Sequence, residues 1–395
     1  MIYTNVCGDR LSLLGFGTMR LPCSGGQEDI DQAQVDAMVD YALAHGVNYF
    51  DTAEPYHGGK SEVAIGKALS RYPRESYRLA DKYPGHQYLE PMDPGEIFFE
   101  QLKKCGVDYF DYYLLHNVNE NSIRAYCDED YGIVPFFLEQ KRLGRIRHLG
   151  FSCHGFPENL EAFLDQYGDV MEFCQIQLNY LDWSLQDAER KYAILSERGM
   201  PVWVMEPVHG GVLVNLPEAQ AETLRAAHPD ESIASWGFRW LQGLENVHMV
   251  LSGMSNLEQM IDNVKTFDTR RPLDEAETAL VYEAAEALKQ NLPCTGCRYC
   301  CAGCPLGLDI PYILTNYNEY RMAGSLNLNI TQRVDFLPEG KRPEDCIACG
   351  QCAKACPQKI DVPKAMRDFG EARKNAPSWA DIMAERAAAK KRNSD

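Results

Sequence analysis

Eight cysteines in the last quarter of the chain fall into two runs of one pattern. Cys294, Cys297, Cys300 and Cys304, followed by Pro305, read C-x2-C-x2-C-x3-C-P; Cys346, Cys349, Cys352 and Cys356, followed by Pro357, repeat it 52 residues later. Thiolates at this pitch suit iron–sulfur cubanes. Three on a tight loop hold one cluster, and the fourth, after the longer gap, reaches across to the other. The echo continues in Leu308-Asp309-Ile310-Pro311 and Ile360-Asp361-Val362-Pro363. A pair of structural zinc sites is the alternative, because zinc also uses C-x2-C pairs. Four zinc ligands give no reason for a third C-x2 step or for two Cys-Pro endings. The spacing points to two [4Fe-4S] clusters and one-electron chemistry. Cys301, beside Cys300, is a substitute ligand or a spare thiol; Cys300 keeps the repeated spacing.

A second set of chemical groups lies far upstream. Asp51, Lys82 and His116 each end a short apolar run, and Tyr56 follows Asp51 by five residues. Singly, each has a plainer reading: a helix cap, a packed ring, a structural imidazole. Together they put an acid, a phenol, an ammonium and an imidazole where one rim would gather them. His57, His86, His154 and His209 also follow such runs, and their plainer reading is solvated loop histidines.

The elements that must position these groups are regular. Eight short apolar runs, from Leu13–Thr18 to Val247–Gly253, alternate with amphipathic stretches such as Asp31–Ala44, Pro94–Cys105 and Glu231–Leu241. Over about 260 residues this rhythm predicts a (β/α)8 TIM barrel, whose chemistry sits at the C-terminal ends of its strands. A doubly wound sheet is the alternative, but Gly15-Phe16-Gly17 lacks its third glycine. Met1–Arg10 reads as a hairpin closing the barrel floor, with Gly8-Asp9 at the turn. The expected division is a barrel over 1–271, a connecting helix over 272–292 and a cluster domain over 293–395. Arg271-Pro272-Leu273-Asp274 opens that helix, and Pro293 stops it before Cys294.

The successive motifs Phe50-Asp51-Thr52-Ala53-Glu54-Pro55-Tyr56, Ala80-Asp81-Lys82, Tyr113-Leu114-Leu115-His116 and Leu149-Gly150-Phe151-Ser152 resemble, in order, the strand-end motifs of the aldo/keto reductase family. The two cysteine runs resemble the ferredoxin-like domain appended in one bacterial and archaeal branch of that family. The 41 residues between Cys304 and Cys346, with a helical pattern over Tyr312–Ala323, are similar to an α-helical ferredoxin. The resemblance implies reversible hydride transfer between NADP or NAD and a small carbonyl compound. It makes Tyr56 the general acid/base, with Lys82 lowering its pKa, Asp51 pairing with Lys82, and His116 orienting the carbonyl oxygen. It places Ser152 and Gln175 at the nicotinamide carboxamide, and Gly253, Ser255, Gln259 and Asn263 at the cofactor phosphates. Two departures stand out: Met205 replaces the family's stacking aromatic, and Gly253-Met254-Ser255-Asn256-Leu257 lacks the arginine that would meet a 2′-phosphate.

Composition bounds the rest. A net charge of −18 argues against general nucleic-acid binding. The N-terminus lacks a signal-peptide pattern, no apolar run is long enough to span a bilayer, and seven cysteines outside the ladders have no disulfide spacing, so a reducing cytoplasm is expected. A hydride carries two electrons and a cubane passes one. A ferredoxin or flavoprotein electron partner is one reading of that mismatch; a cluster-driven reductase without nicotinamide, or a sensor or carrier with an inactive barrel, are the alternatives.

Overall fold

The computed structural model describes residues 1–26, 28–85, 93–120, 122–288, 292, 294, 298–356 and 360–394. The chain divides into two compact units, Met1–Ala284 and Ala285–Asp395.

The first unit is a closed barrel of eight parallel strands: β3 (Leu14–Gly17), β4 (Tyr49–Asp51), β5 (Arg78–Tyr83), β6 (Phe110–Val118), β7 (Ile146–Cys153), β8 (Cys174–Gln177), β9 (Val202–Met205) and β10 (Val247–Ser252). All eight lie within or against the apolar runs of the sequence. Helices alternate with them and are capped by local chemistry. Helix Pro94–Cys105 begins where Asp93 accepts hydrogen bonds from Gly95 N and Glu96 N and ends at Gly106, whose φ is 66°. Helix Glu275–Leu288 follows the last barrel helix, and its Glu277 pairs with Arg239 at 2.6 Å.

Pleating explains why the barrel is filled below and chemical above. Tyr49, Ala80, Tyr112, Phe173, Trp203 and Met249 pack together as the lower core, with Phe173 and Trp203 ring centres 4.6 Å apart. Two residues on, on the same inward face, come Asp51, Lys82, Leu114, Gln175, Met205 and Leu251. Gly150 of β7 makes room for this layer: a Cβ there would lie 2.5 Å from Phe173.

The N-terminal hairpin pairs β1 (Tyr3–Val6) with β2 (Asp9–Ser12). Its turn is Cys7-Gly8, not Gly8-Asp9. Both residues have positive φ, 53° and 83°, as a two-residue turn matched to strand twist requires, and Asp9 is thereby drawn into the strand opposite Val6. Val6 and Leu11 join the lower core. Around them Asp9 pairs with Arg78 at 2.9 Å, and Glu172 with Lys141 at 2.7 Å.

The described residues of the second unit are helical, and its sequence echo is structural. Short helices Tyr299–Ala302 and Gln351–Ala355 each follow a left-handed residue, Arg298 (φ 62°) and Gly350 (φ 75°). Asp309 and Asp361 cap helices Ile310–Ala323 and Val362–Lys374, each with proline in its first turn. Ile313, Leu314, Ile330, Val334, Met366 and Phe369 form the core. The C-terminal basic stretch belongs to a longer helix, Trp379–Ser394. Among the described residues no helix is long and apolar enough to cross a membrane.

Candidate active site and cluster site

The structure brings Asp51, Tyr56, Lys82 and His116 together at the upper rim of the barrel. Lys82 Nζ donates to Asp51 Oδ1 at 2.6 Å and to the Thr52 carbonyl at 2.7 Å. It lies 5.1 Å from the centre of the Tyr56 ring. His116 meets that ring edge-on, with centroids 6.2 Å apart. Asp51, Lys82 and His116 are buried.

Burial sets the proton affinities. It raises the Asp51 carboxyl despite Lys82 beside it. It works against the Lys82 ammonium, yet Asp51 and Tyr56 together hold that group above the ordinary lysine value. For Tyr56, burial pushes the phenol up and Lys82 pulls it down; burial prevails, helped by the Asp51 and Glu206 charges. The net direction for Tyr56 is therefore opposite to the one expected from a lysine neighbour alone.

Tyr56 opens a tight turn, Tyr56–Gly59, in which His57, Gly58 and Gly59 have φ of 54°, 63° and 87°. Residues the sequence did not single out hold the strand end that precedes this turn. Thr18 Oγ1 donates to the Asp51 carbonyl at 3.0 Å, and Ser61 Oγ lies 2.7 Å from Thr18 Oγ1 and 2.9 Å from Thr52 Oγ1. His57 is not a solvated loop histidine: Leu21 N donates to its Nε2 at 3.1 Å. His209 is likewise buried, its Nδ1 2.8 Å from Asp182 Oδ2. His86 lies outside the described residues.

A cavity of about 530 Å³ opens over the rim and is lined by Asp51, Tyr56, Gln175, Gly253, Ser255, Gln259 and Asn263. Gln175 is buried, and its Oε1 has no hydrogen-bond partner among the described residues; such an orphaned acceptor fits a polar ligand that brings its own donor. Ser255 N donates to Gln259 Oε1 at 2.8 Å, and Asn263 Nδ2 to Ser252 Oγ at 2.9 Å. Ser152 is not on the cavity wall. Its Oγ accepts from Asn117 N at 2.8 Å, fixing a residue with φ of 59°. Met205, the last residue of β9, and Glu206 lie on the cavity wall. Arg20 was missed: it lies three residues past the end of β3, on the same rim. Its Nη2 lies 3.3 Å from Glu206 Oε1, and its methylenes lie 3.3–3.4 Å from where a Cβ on Gly253 would be.

In the second unit Cys346, Cys349 and Cys352 line one small cavity together with Cys304 from the other ladder. Pro305, Leu306, Leu308, Ile310, Ile347, Val362 and Met366 complete its wall. Three neighbouring thiols plus a fourth from the partner run, in an apolar shell, suit a cubane better than a closed zinc site. Leu308 N donates to Cys304 Sγ at 3.5 Å. Cys294, Cys300 and Cys356 pack about the same core; Cys297 lies outside the described residues. Cys300 and Cys352, equivalent in the repeat, are both 7% exposed, whereas Cys301 has alanine as its counterpart.

Comparison with known proteins agrees with both halves. The aldo/keto reductase family model matches residues 13–286, and that of a 4Fe-4S dicluster domain matches residues 293–360. The NADH-specific methylglyoxal reductase of Escherichia coli (strain K12) is 26% identical over 327 residues, covering 71% of this chain and 96% of that protein. L-galactose dehydrogenase of Arabidopsis thaliana is 27% identical over 284 residues, covering 65% and 84%. The holo form of an aldo-keto reductase from Bacillus halodurans matches with a TM-score of 0.59 and 26% identity, over 73% of this chain and 97% of that one. With a closed eight-stranded barrel and a family match running from its first strand past its last, the chain belongs to the aldo/keto reductase family and is an oxidoreductase with a C-terminal 4Fe-4S dicluster domain.

Proposed function

We propose that the chain reduces a small carbonyl compound, or oxidises the matching alcohol, with NAD(P)H, and that two [4Fe-4S] clusters connect it to a one-electron partner, a ferredoxin or a flavoprotein. One observation carries the first half: a buried Lys82–Asp51 pair, 2.6 Å long, beneath a tyrosine on a cavity wall. Bound nicotinamide supplies hydride to the carbonyl carbon. Tyr56 gives its phenolic proton to the carbonyl oxygen, so carbonyl, hydride and proton sum to the alcohol. Lys82 offsets the charge left on the phenolate, and Asp51 keeps Lys82 protonated. His116 orients the carbonyl oxygen by hydrogen bonding. Gln175 takes the carboxamide; Gly253, Ser255, Gln259 and Asn263 line the remainder of the cofactor's path. Ser152 acts indirectly, by holding Asn117.

The clusters supply one-electron exchange, with Cys346, Cys349, Cys352 and Cys304 at one and Cys294, Cys297, Cys300 and Cys356 at the other. The Escherichia coli relative, named for NADH and methylglyoxal, supports the carbonyl reading. A second reading, turnover driven by the clusters without nicotinamide, is favoured by Met205 in the wall where the family stacks an aromatic. Anaerobic kinetics on the cluster-loaded chain separate the two. Tyr56→Phe should lower NAD(P)H-dependent reduction by about 10²–10⁴-fold while cofactor affinity stays unchanged. Full turnover by that variant removes Tyr56 from the chemistry, and turnover with a reduced one-electron donor alone selects the second reading.

A further inference from the structure

The floor of the barrel, on the face opposite the catalytic rim, gathers a second set of ligating groups. Cys7 sits on the turn of the N-terminal hairpin, His148 lies in β7, and Glu172 stands just before β8. One ligand atom from each (the Cys7 thiol, a His148 ring nitrogen and a Glu172 carboxylate oxygen) lies within 4.8 Å of the other two. We propose that Cys7, His148 and Glu172 bind a divalent ion of the zinc class, which staples the hairpin turn to β7 and to the segment entering β8.

Ligand type selects the ion. Zinc accepts a thiolate, an imidazole and a carboxylate together, whereas magnesium and calcium take oxygen shells. Thiolate and carboxylate between them neutralise a divalent charge, and the thiol proton leaves to solvent as the sulfur–metal bond forms. The surrounding groups stand where such a site needs them. His148 Nδ1 lies 2.9 Å from Glu172 Oε2, and an ion would take the place of the proton they share. On the far side of the ring Asp9 Oδ2 stands 3.7 Å from His148 Nε2, the position of a carboxylate that orients a ligating histidine. Lys141 Nζ and Leu149 N both donate to Glu172 Oε1, at 2.7 and 2.9 Å, which leaves Oε2 to face the ion. The Cys7 thiol already reaches the Glu172 carbonyl at 3.8 Å. All three ligands are half-buried, so the ion can enter from solvent and water can fill a fourth position. Ligand atoms across a zinc tetrahedron stand about 3.3–3.6 Å apart, so the turn carrying Cys7 closes by roughly 1 Å on binding.

Zinc loading of the anaerobically prepared, cluster-loaded chain tests this, with iron counted before and after so that both ladders stay occupied. Equilibrium dialysis should add about one zinc per chain. X-ray absorption at the zinc edge should show a single sulfur at about 2.3 Å, with nitrogen and oxygen at about 2.0–2.2 Å. Cys7→Ser and His148→Gln should each abolish this zinc at unchanged iron content, and Asp9→Asn should weaken its binding by about 10–100-fold. Zinc should raise the Tm of the wild type and leave that of Cys7→Ser where it was. An all-sulfur shell, which puts the zinc in a ladder, overturns the inference; so does a chain that takes up no zinc, or variants that load it as the wild type does. The absorption shell is read on the wild type and decides the matter even where a variant fails to fold.

Discussion

At the scale of single residues, Tyr56 carries the sharpest expectation. Its side chain is half-buried, and that burial outweighs the neighbouring ammonium, so its pKa is raised above the ordinary value of 10.0. A proton donor must be protonated to act. Carbonyl reduction should therefore be flat from roughly pH 6 to 8, where the phenol is fully protonated, and should fall only in strong alkali. Alcohol oxidation needs the phenolate and should climb with pH across the same range. Removing the ammonium with Lys82→Met takes away the group that lowers the pKa, so the oxidation limb should move to higher pH; its movement to lower pH would contradict the assigned role. Of this site, the sequence displayed the four rim residues because each ends an apolar run. It did not display Thr18 and Ser61, whose hydroxyls, in contact with each other, hold the strand end at Asp51 and Thr52. Nothing in either residue's neighbourhood along the chain announces a partner 43 positions away.

At the scale of elements, legibility followed periodicity. Inward positions in or just before β4, β5, β8 and β9 carry Tyr49, Ala80, Phe173 and Trp203 below and Asp51, Lys82, Gln175 and Met205 above, so one alternation writes both core and site. The hairpin turn was displaced by one residue because a cysteine, not the usual Asn, Asp or Gly, takes a left-handed turn position. Helix-to-helix distance was not legible at all. Gly66 in helix Ser61–Leu69 lies so close to the end of helix Pro94–Cys105 that a Cβ would stand 2.4 Å from the Cys105 carbonyl oxygen. Gly66→Ala should thus destabilise the barrel by ~1–3 kcal/mol, since backbone cannot step aside as a side chain can. Denaturant unfolding followed by tryptophan fluorescence checks it; an unchanged midpoint means the helices separate freely.

At the scale of the whole molecule, the ladders repeat in sequence, but their cavity is built by exchange. Cys304 belongs to the first run and lines the cavity of Cys346, Cys349 and Cys352. Cys304→Ala and Cys349→Ala should therefore extinguish the same cluster's paramagnetic signal and leave about four of about eight irons, while Cys300→Ala extinguishes the other. If Cys304→Ala instead matches Cys300→Ala, each ladder holds its own cluster. Exchange would also shape how such a chain matures. A cluster seated on Cys304 and the second run would tie a loop of 41 intervening residues, and the chain entropy of that closure would be lost only once. A second site would then find its distant thiols already gathered, making the second insertion easier than the first. Where iron is scarce, a population of these chains should sort into finished and empty molecules, with half-built ones rare.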